Sequence, residues 1–171
     1  MNSLITGLEE HAGLLAGLGR QTFIESHSSS AAPEDIASYV NEKFTEEQFR
    51  SELSDKSNQF RIAYIDEKAV GYSKIIPDCT HDLLNEEKVC KMERLYVLQE
   101  YFERKIGQLL FNDSIELARQ HKQKGIWLNV WTGNPRALRF YEKQGFKIKG
   151  ETFFRISDKH SNPNFLMYKE I

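Results

Sequence analysis

A strand, a helix of roughly four turns and a second strand follow one another between Val89 and Trp131, and this order most restricts the fold. The residues read VCKMERLYV, then LQEYFERKIGQLLFNDSIELARQH, then, past Lys122 and Gln123, KGIWLNVW. Ile106, Leu109, Leu110, Leu117 and Ala118 recur at helical spacing, so a helix to about His121 has an apolar face to set against a sheet. Two strands joined by such a helix form a parallel, right-handed crossover. Strict alternation along Val89–Val97 places Glu93, Leu95 and Val97 on one face and Met92, Arg94 and Tyr96 on the other. Gly125 precedes the partner strand, Ile126–Trp131. Asn134 then caps a helix with Pro135 at its first position, on which Ala137, Phe140 and Tyr141 share a face. Gly145 takes the left-handed position past its end, followed by Phe146. A helix that starts just after a strand ending in Val97 suits an anion. A Tyr near the end of the next helix suits chemistry between the two strands.

The flanks supply the rest of a sheet and its cover. Ser3–Thr6 reads as a short strand, and Leu8, Ala12, Leu15, Leu18 and Phe23 as a helix face despite Gly7, Gly13, Gly17 and Gly19. The polar run Ser26–Ser30 reads as a loop. Pro33 opens a helix through Ile36, Tyr39 and Val40, and Thr45-Glu46-Glu47-Gln48 is a capping box ahead of Phe49 and Leu53. These early helices are candidates for covering a substrate pocket. Phe60–Ile65 and Ala69–Ile76 flank Asp66-Glu67-Lys68 as an antiparallel hairpin, and Pro77–Glu87 is a polar connector. Lys147–Ile156 and Asn164–Glu170 are closing strands. No internal repeat or linker divides residues 1–171, which read as one α/β domain with a mixed sheet.

Composition excludes several function classes. A net charge of −2 argues against tracking nucleic-acid phosphates. No run approaches the ~18 apolar residues of a membrane helix, and no basic stretch leads into an apolar one at the N-terminus, so a cytoplasmic protein is expected. Cys79 and Cys90 fit no metal spacing and read as buried thiols. His11, His27, His81, His121 and His160 are scattered, without metal or triad spacing, and read as surface or loop residues; no metal is expected.

The segments ERLYV, QEYFERKIGQLL, IWLNVW and NPRALRFYEKQGFKIKG together resemble the centre of the GNAT N-acetyltransferase family. The resemblance spans residues 60–171. With Gln21-Thr22-Phe23, SELSDKSNQF and IWLNVW, the chain is most similar to the PaiA-type spermidine/spermine acetyltransferases. The resemblance implies a mostly antiparallel central sheet with one splayed parallel pair and helices on both faces. It implies acetyl-CoA as co-substrate and a primary amine, foremost a polyamine, as acceptor, by direct attack in a ternary complex. By the same resemblance Tyr141 is the general acid and Glu93 the general base, with an Arg94 ion pair as the plain alternative for Glu93. Cofactor contacts fall on Leu95, Tyr96 and Val97, on the phosphate turn Phe102, Glu103, Arg104, Lys105, Ile106, Gly107 and Gln108, and on Asn134 and Lys143.

The phosphate turn departs from the family pattern of Arg or Gln, two residues, Gly, one residue, then Gly or Ala. Phe102 stands at the first position and Lys105 at the inner glycine; Gly107 alone is kept. Any residue supplies a backbone N–H to a diphosphate, and a side chain at 105 is costly where φ is positive. Arg104 and Lys105 could add charge-assisted contacts. A polyamine pocket needs carboxylates, for which Glu25, Glu34, Asp35, Asp78, Asp82, Glu86 and Glu87 are candidates. Alternatives are a protein N-terminus, an amino acid or an antibiotic amine as acceptor, or a chain that binds CoA or a partner without turnover. A last strand that pairs with a second copy's would give a homodimer.

Overall fold

Seven strands, β1 (Asn2–Thr6), β2 (Gln59–Ile65), β3 (Lys68–Ile76), β4 (Val89–Val97), β5 (Gly125–Trp131), β6 (Lys147–Arg155) and β7 (Ser161–Glu170), form one sheet in the computed structural model, which describes residues 2–171. Its order is β1-β2-β3-β4-β5-β7-β6, antiparallel throughout except for the β4–β5 pair. This is the mixed α/β sheet expected. Helices α1 (Ala12–His27), α2 (Pro33–Lys43) and α3 (Glu46–Ser54) cover one face, and α4 (Ile106–Gln120) and α5 (Pro135–Lys143) the other. No helix among the described residues is long and apolar enough to cross a membrane.

Under α1–α3 the core holds Leu15, Phe23, Val40, Phe49, Phe60, Ile62 and Tyr72, all under a twentieth exposed. Across the sheet, Phe111, Ile115 and Ala118 of α4 pack with Ile75, Met92, Ile126 and Met167. Burying a full-size aliphatic side chain contributes about 1.5–3 kcal/mol, so this double-sided packing fixes how β4 and β5 sit.

Helix α1 runs through Ser26 and His27, which the polar run suggested as loop. Ser26 Oγ returns to the Thr22 carbonyl at 2.8 Å, and the His27 ring stacks on Phe23 at 4.4 Å. The last strand, β7, is interior between β5 and β6, so it offers no free edge to a second copy; β1 and β6 are the edges.

The larger departure is a β-bulge. Lys74 of β3 faces Arg94 and Ile75 faces Met92, leaving Glu93 without a partner across the pair. An extra residue turns the alternation over. Met92 therefore lies in the α4-side core, as does Leu95, whereas Glu93 and Arg94 both engage groups on the α1–α3 side. Strict alternation had set Met92 with Arg94 and Tyr96.

Candidate active site

Parallel pairing between β4 and β5 ends with Lys91 opposite Trp127. Beyond it the strands part, and their last residues, Glu93–Val97 and Asn129–Trp131, line a cleft of about 850 Å³. A sheet opening at the carboxyl ends of two strands is where α/β folds take ligands.

One end of the cleft abuts the start of α4. Lys105 caps that helix in the left-handed conformation, φ +59° and ψ 17°. The first intrahelical bond there runs from the Leu109 N–H to the Lys105 carbonyl at 3.0 Å, so the N–H groups before it are left for an anion. Lys105, Gly107 and Gln108 line this end together with Phe102, Asn134 and Arg136. The Arg136 guanidinium stacks 3.7 Å above the Phe102 ring, which holds a second cation beside Lys105. Gln108 and Gln144 exchange two side-chain bonds, at 3.1 and 2.8 Å, fastening the start of α4 to the end of α5.

Helix α5 brings Tyr141 to the cleft. Asn134 Oδ1 accepts the Ala137 N–H at 3.1 Å, and Gly145, at φ +89°, ends the helix with Phe146 N–H returning to the Tyr141 carbonyl at 3.0 Å. Tyr141 is 8% exposed, and burial raises its phenol well above the ordinary range. Tyr96 lies beyond it on β4, and burial pushes its hydroxyl up to about 12.

Charge gathers at the opposite end. Arg94 holds Glu52 of α3 with two bonds, and Lys74 lies 2.9 Å from Glu52 and 2.5 Å from Glu93. Lys91 lies 3.2 Å from Glu93. Burial works to raise the Glu93 carboxyl, but Lys74, Lys91 and Arg94 outweigh it and hold it at about 2. Glu52, equally opposed by burial, is held below its ordinary range by Arg94 and Lys74. His27 completes this half, stacked on Phe23 and facing Trp131 at 5.9 Å; burial lowers its imidazole to about 4, so it is neutral at pH 7.

Of the residues singled out in the sequence, Glu93, Leu95, Tyr96, Val97, Phe102, Lys105, Gly107, Gln108, Asn134 and Tyr141 line this one cleft. Glu103, Arg104 and Lys143 do not; all three are exposed, and Glu103 lies 3.8 Å from Arg136. Ile106 is core, fully buried against Ala63, Val70 and Leu110. Glu93 is paired with Lys74 and Lys91 rather than with Arg94, which takes Glu52. Among the acids considered for an acceptor only Glu25 reaches the cleft, where it accepts the Gln99 N–H at 2.8 Å. Glu52, Lys74, Lys91, Arg136 and His27 were not singled out as site residues. Lys74, a cation in the strand segment between Tyr72 and Ile75, was the one visible signal; His27, expected at the surface, gave none.

Residues 22–146 match the acetyltransferase (GNAT) family. An uncharacterised N-acetyltransferase of Mycobacterium tuberculosis is 31% identical over 157 residues, covering 92% of this chain and 96% of the relative. The spermidine N(1)-acetyltransferase of Thermoplasma acidophilum is 27% identical over 144 residues, covering 79% of this chain and 81% of that protein. Among solved structures, the PaiA N-acetyltransferase of Thermoplasma acidophilum in complex with coenzyme A superposes with a TM-score of 0.79 at 21% identity, covering all of this chain and 99% of its own.

Proposed function

The chain belongs to the acetyltransferase (GNAT) family, so we propose that its 171 residues act as one acetyl-CoA-dependent N-acetyltransferase unit with a small primary amine as acceptor. The observation that carries this reading is the parting of β4 from β5 after Lys91. It leaves the backbone of Glu93–Val97 without a β5 partner in a cleft that runs from the α4 N-terminus past Tyr141 to the charged cluster.

Acetyl-CoA supplies the acetyl group as an activated thioester. The residues at the α4 end fit its phosphates: free helix N–H groups, Lys105, Arg136, and a Gly107 at which an added Cβ would touch nothing nearer than Val97 Cγ2 at 4.0 Å. Tyr141, a phenol and so protonated at neutral pH, lines the cleft and can supply the proton that a departing thiolate requires. Glu93 is a poor proton acceptor for the base role, because its carboxyl is held at about 2. The three cations around it favour a neutral amine over an ammonium in the same half of the cleft. Attack is direct, without a covalent enzyme intermediate.

A polyamine acceptor draws support from the similarity to the Thermoplasma acidophilum spermidine enzyme. Against it, Glu34, Asp35, Asp78, Asp82, Glu86 and Glu87 lie outside the cleft, and Glu52 and Glu93 inside it are already matched by cations. Two free thiols, Cys79 and Cys90, fit a cytoplasmic location.

Purified protein incubated with acetyl-CoA and a panel of amino acids, peptides, spermidine and spermine should release free thiol with at least one of them, and CoA should raise Tm. Thermal stabilisation by CoA without thiol release from any amine would convert the reading to a binding protein. Absence of both would refute it.

A further inference from the structure

We propose that the acceptor amine also carries a carboxylate, bound by Lys91 and Arg94 within the cluster that they form with Lys74. This rests on the amine-acetylating reading above and names its acceptor class.

The cluster holds three cations and two carboxylates within a network that is mostly out of solvent: side-chain exposure is 6% at Lys74, 12% at Glu52, 16% at Arg94, and 26–27% at Lys91 and Glu93. Every carboxylate oxygen is already taken. Glu52 Oε1 accepts from Gln48 and Arg94, Glu52 Oε2 from Lys74 and Arg94, Glu93 Oε1 from Lys91, and Glu93 Oε2 faces Lys74. An ammonium has three N–H donors and a guanidinium five, so donors are left over on Lys91 and Arg94. Desolvated charge is stable only when matched. All five groups line the cleft, so the missing negative charge can come from whatever enters it. A polyamine would add charge of the sign already in excess.

The surroundings fit the remainder of such an acceptor. Phe23, Tyr39, Phe44 and Phe154 line the same half of the cleft and offer apolar surface to a side chain. Arg94 and Tyr96 stand two residues apart on β4 and line the cleft together with Tyr141, so the carboxylate seat and Tyr141 open onto one cavity.

The test pairs amino acids bearing apolar side chains with their own carboxamides, plus spermidine, in the thiol-release assay. Losing a charge-assisted bond costs about tenfold or more, so the carboxylate member of each pair should have the higher kcat/KM by that factor, through KM. Lys91→Met should bring the ratio towards one, and Lys91→Arg should restore it. A carboxamide as good as its acid, or spermidine faster than the acids, overturns the assignment. Calorimetric titration of the same pairs into CoA-saturated protein separates the two claims. If no amine releases thiol, acetyl transfer fails, yet tighter binding of the acids would still uphold the carboxylate seat, and equal binding would sink it.

Discussion

Arg94 of β4 grips Glu52 of α3 in a bidentate pair, Nη1 to Oε2 at 2.7 Å and Nη2 to Oε1 at 3.0 Å. The pair ties the sheet at the cleft floor to a helix that covers it, across 42 residues of sequence. Planar guanidinium and carboxylate fix both distance and angle. Lys74 is then committed between Glu52 and Glu93.

Glu52→Gln should be among the more damaging polar substitutions. It strands Arg94 and half-strands Lys74, and breaking such a buried pair costs about 3 kcal/mol. Tm should fall by about 6–12 °C for a chain of this size. In a double-mutant cycle with Arg94→Met, the two losses should not add, because the second change removes the charge that the first leaves unmatched. Additive losses would show that the pair contributes little.

Stability should decline with acid in two windows. His27 titrates at about 4 in the fold against 6.5 for the free side chain, so between these values the unfolded chain binds the extra proton. Its contribution is present in full above pH 6.5 and is lost as pH falls towards 4. The Glu93 contribution is present above its ordinary 4.5 and is lost as pH falls to about 2. Urea midpoints measured from pH 7.5 to 4.5 should drop for the parent protein and stay flatter for His27→Phe, which keeps the stacking on Phe23.

Tyr141→Phe should reduce kcat by about 100-fold or more while changing CoA affinity little. Among the described residues none hydrogen-bonds the Tyr141 hydroxyl, so the folded state should lose little with it. Unchanged turnover would remove Tyr141 from the chemistry.

Lys105→Gly should separate strain from charge. The positive φ costs a non-glycine residue about 1 kcal/mol, so Tm should rise by about 2–4 °C. CoA should nonetheless bind several-fold more weakly at low salt, because a cation leaves the α4 end of the cleft. Tighter binding instead would assign the Lys105 side chain no part in holding phosphate.

Sequence and structure part company where distant pairing decides. The β4–α4–β5–α5 unit was legible because its helix face, its Asn134 and Pro135 start and its Gly145 stop are local signals. The bulge at Glu93 was not, because it arises from how β3 registers against β4, and nothing within MERLYV records that register. Glu52 sits in EEQFRSELS as one acid among three on a polar helix, and only the packing of α3 on β4 selects it. His27 sits near the start of the polar run Ser26–Ser30, and its stacking on Phe23 draws it into the end of the helix. The acceptor acids failed for a simpler reason. A chain with 25 acidic residues offers clusters wherever it meets water.

The reciprocal amide bonds between Gln108 and Gln144 make the proposed phosphate seat and the proposed acid, Tyr141, two marks on a single ruler. Either mark is useful only at a set separation, since misplacing a reacting group by about 1 Å can cost a hundredfold in rate. Lengthening or loosening that ruler would leave the cofactor held and the acid intact, yet out of reach of each other.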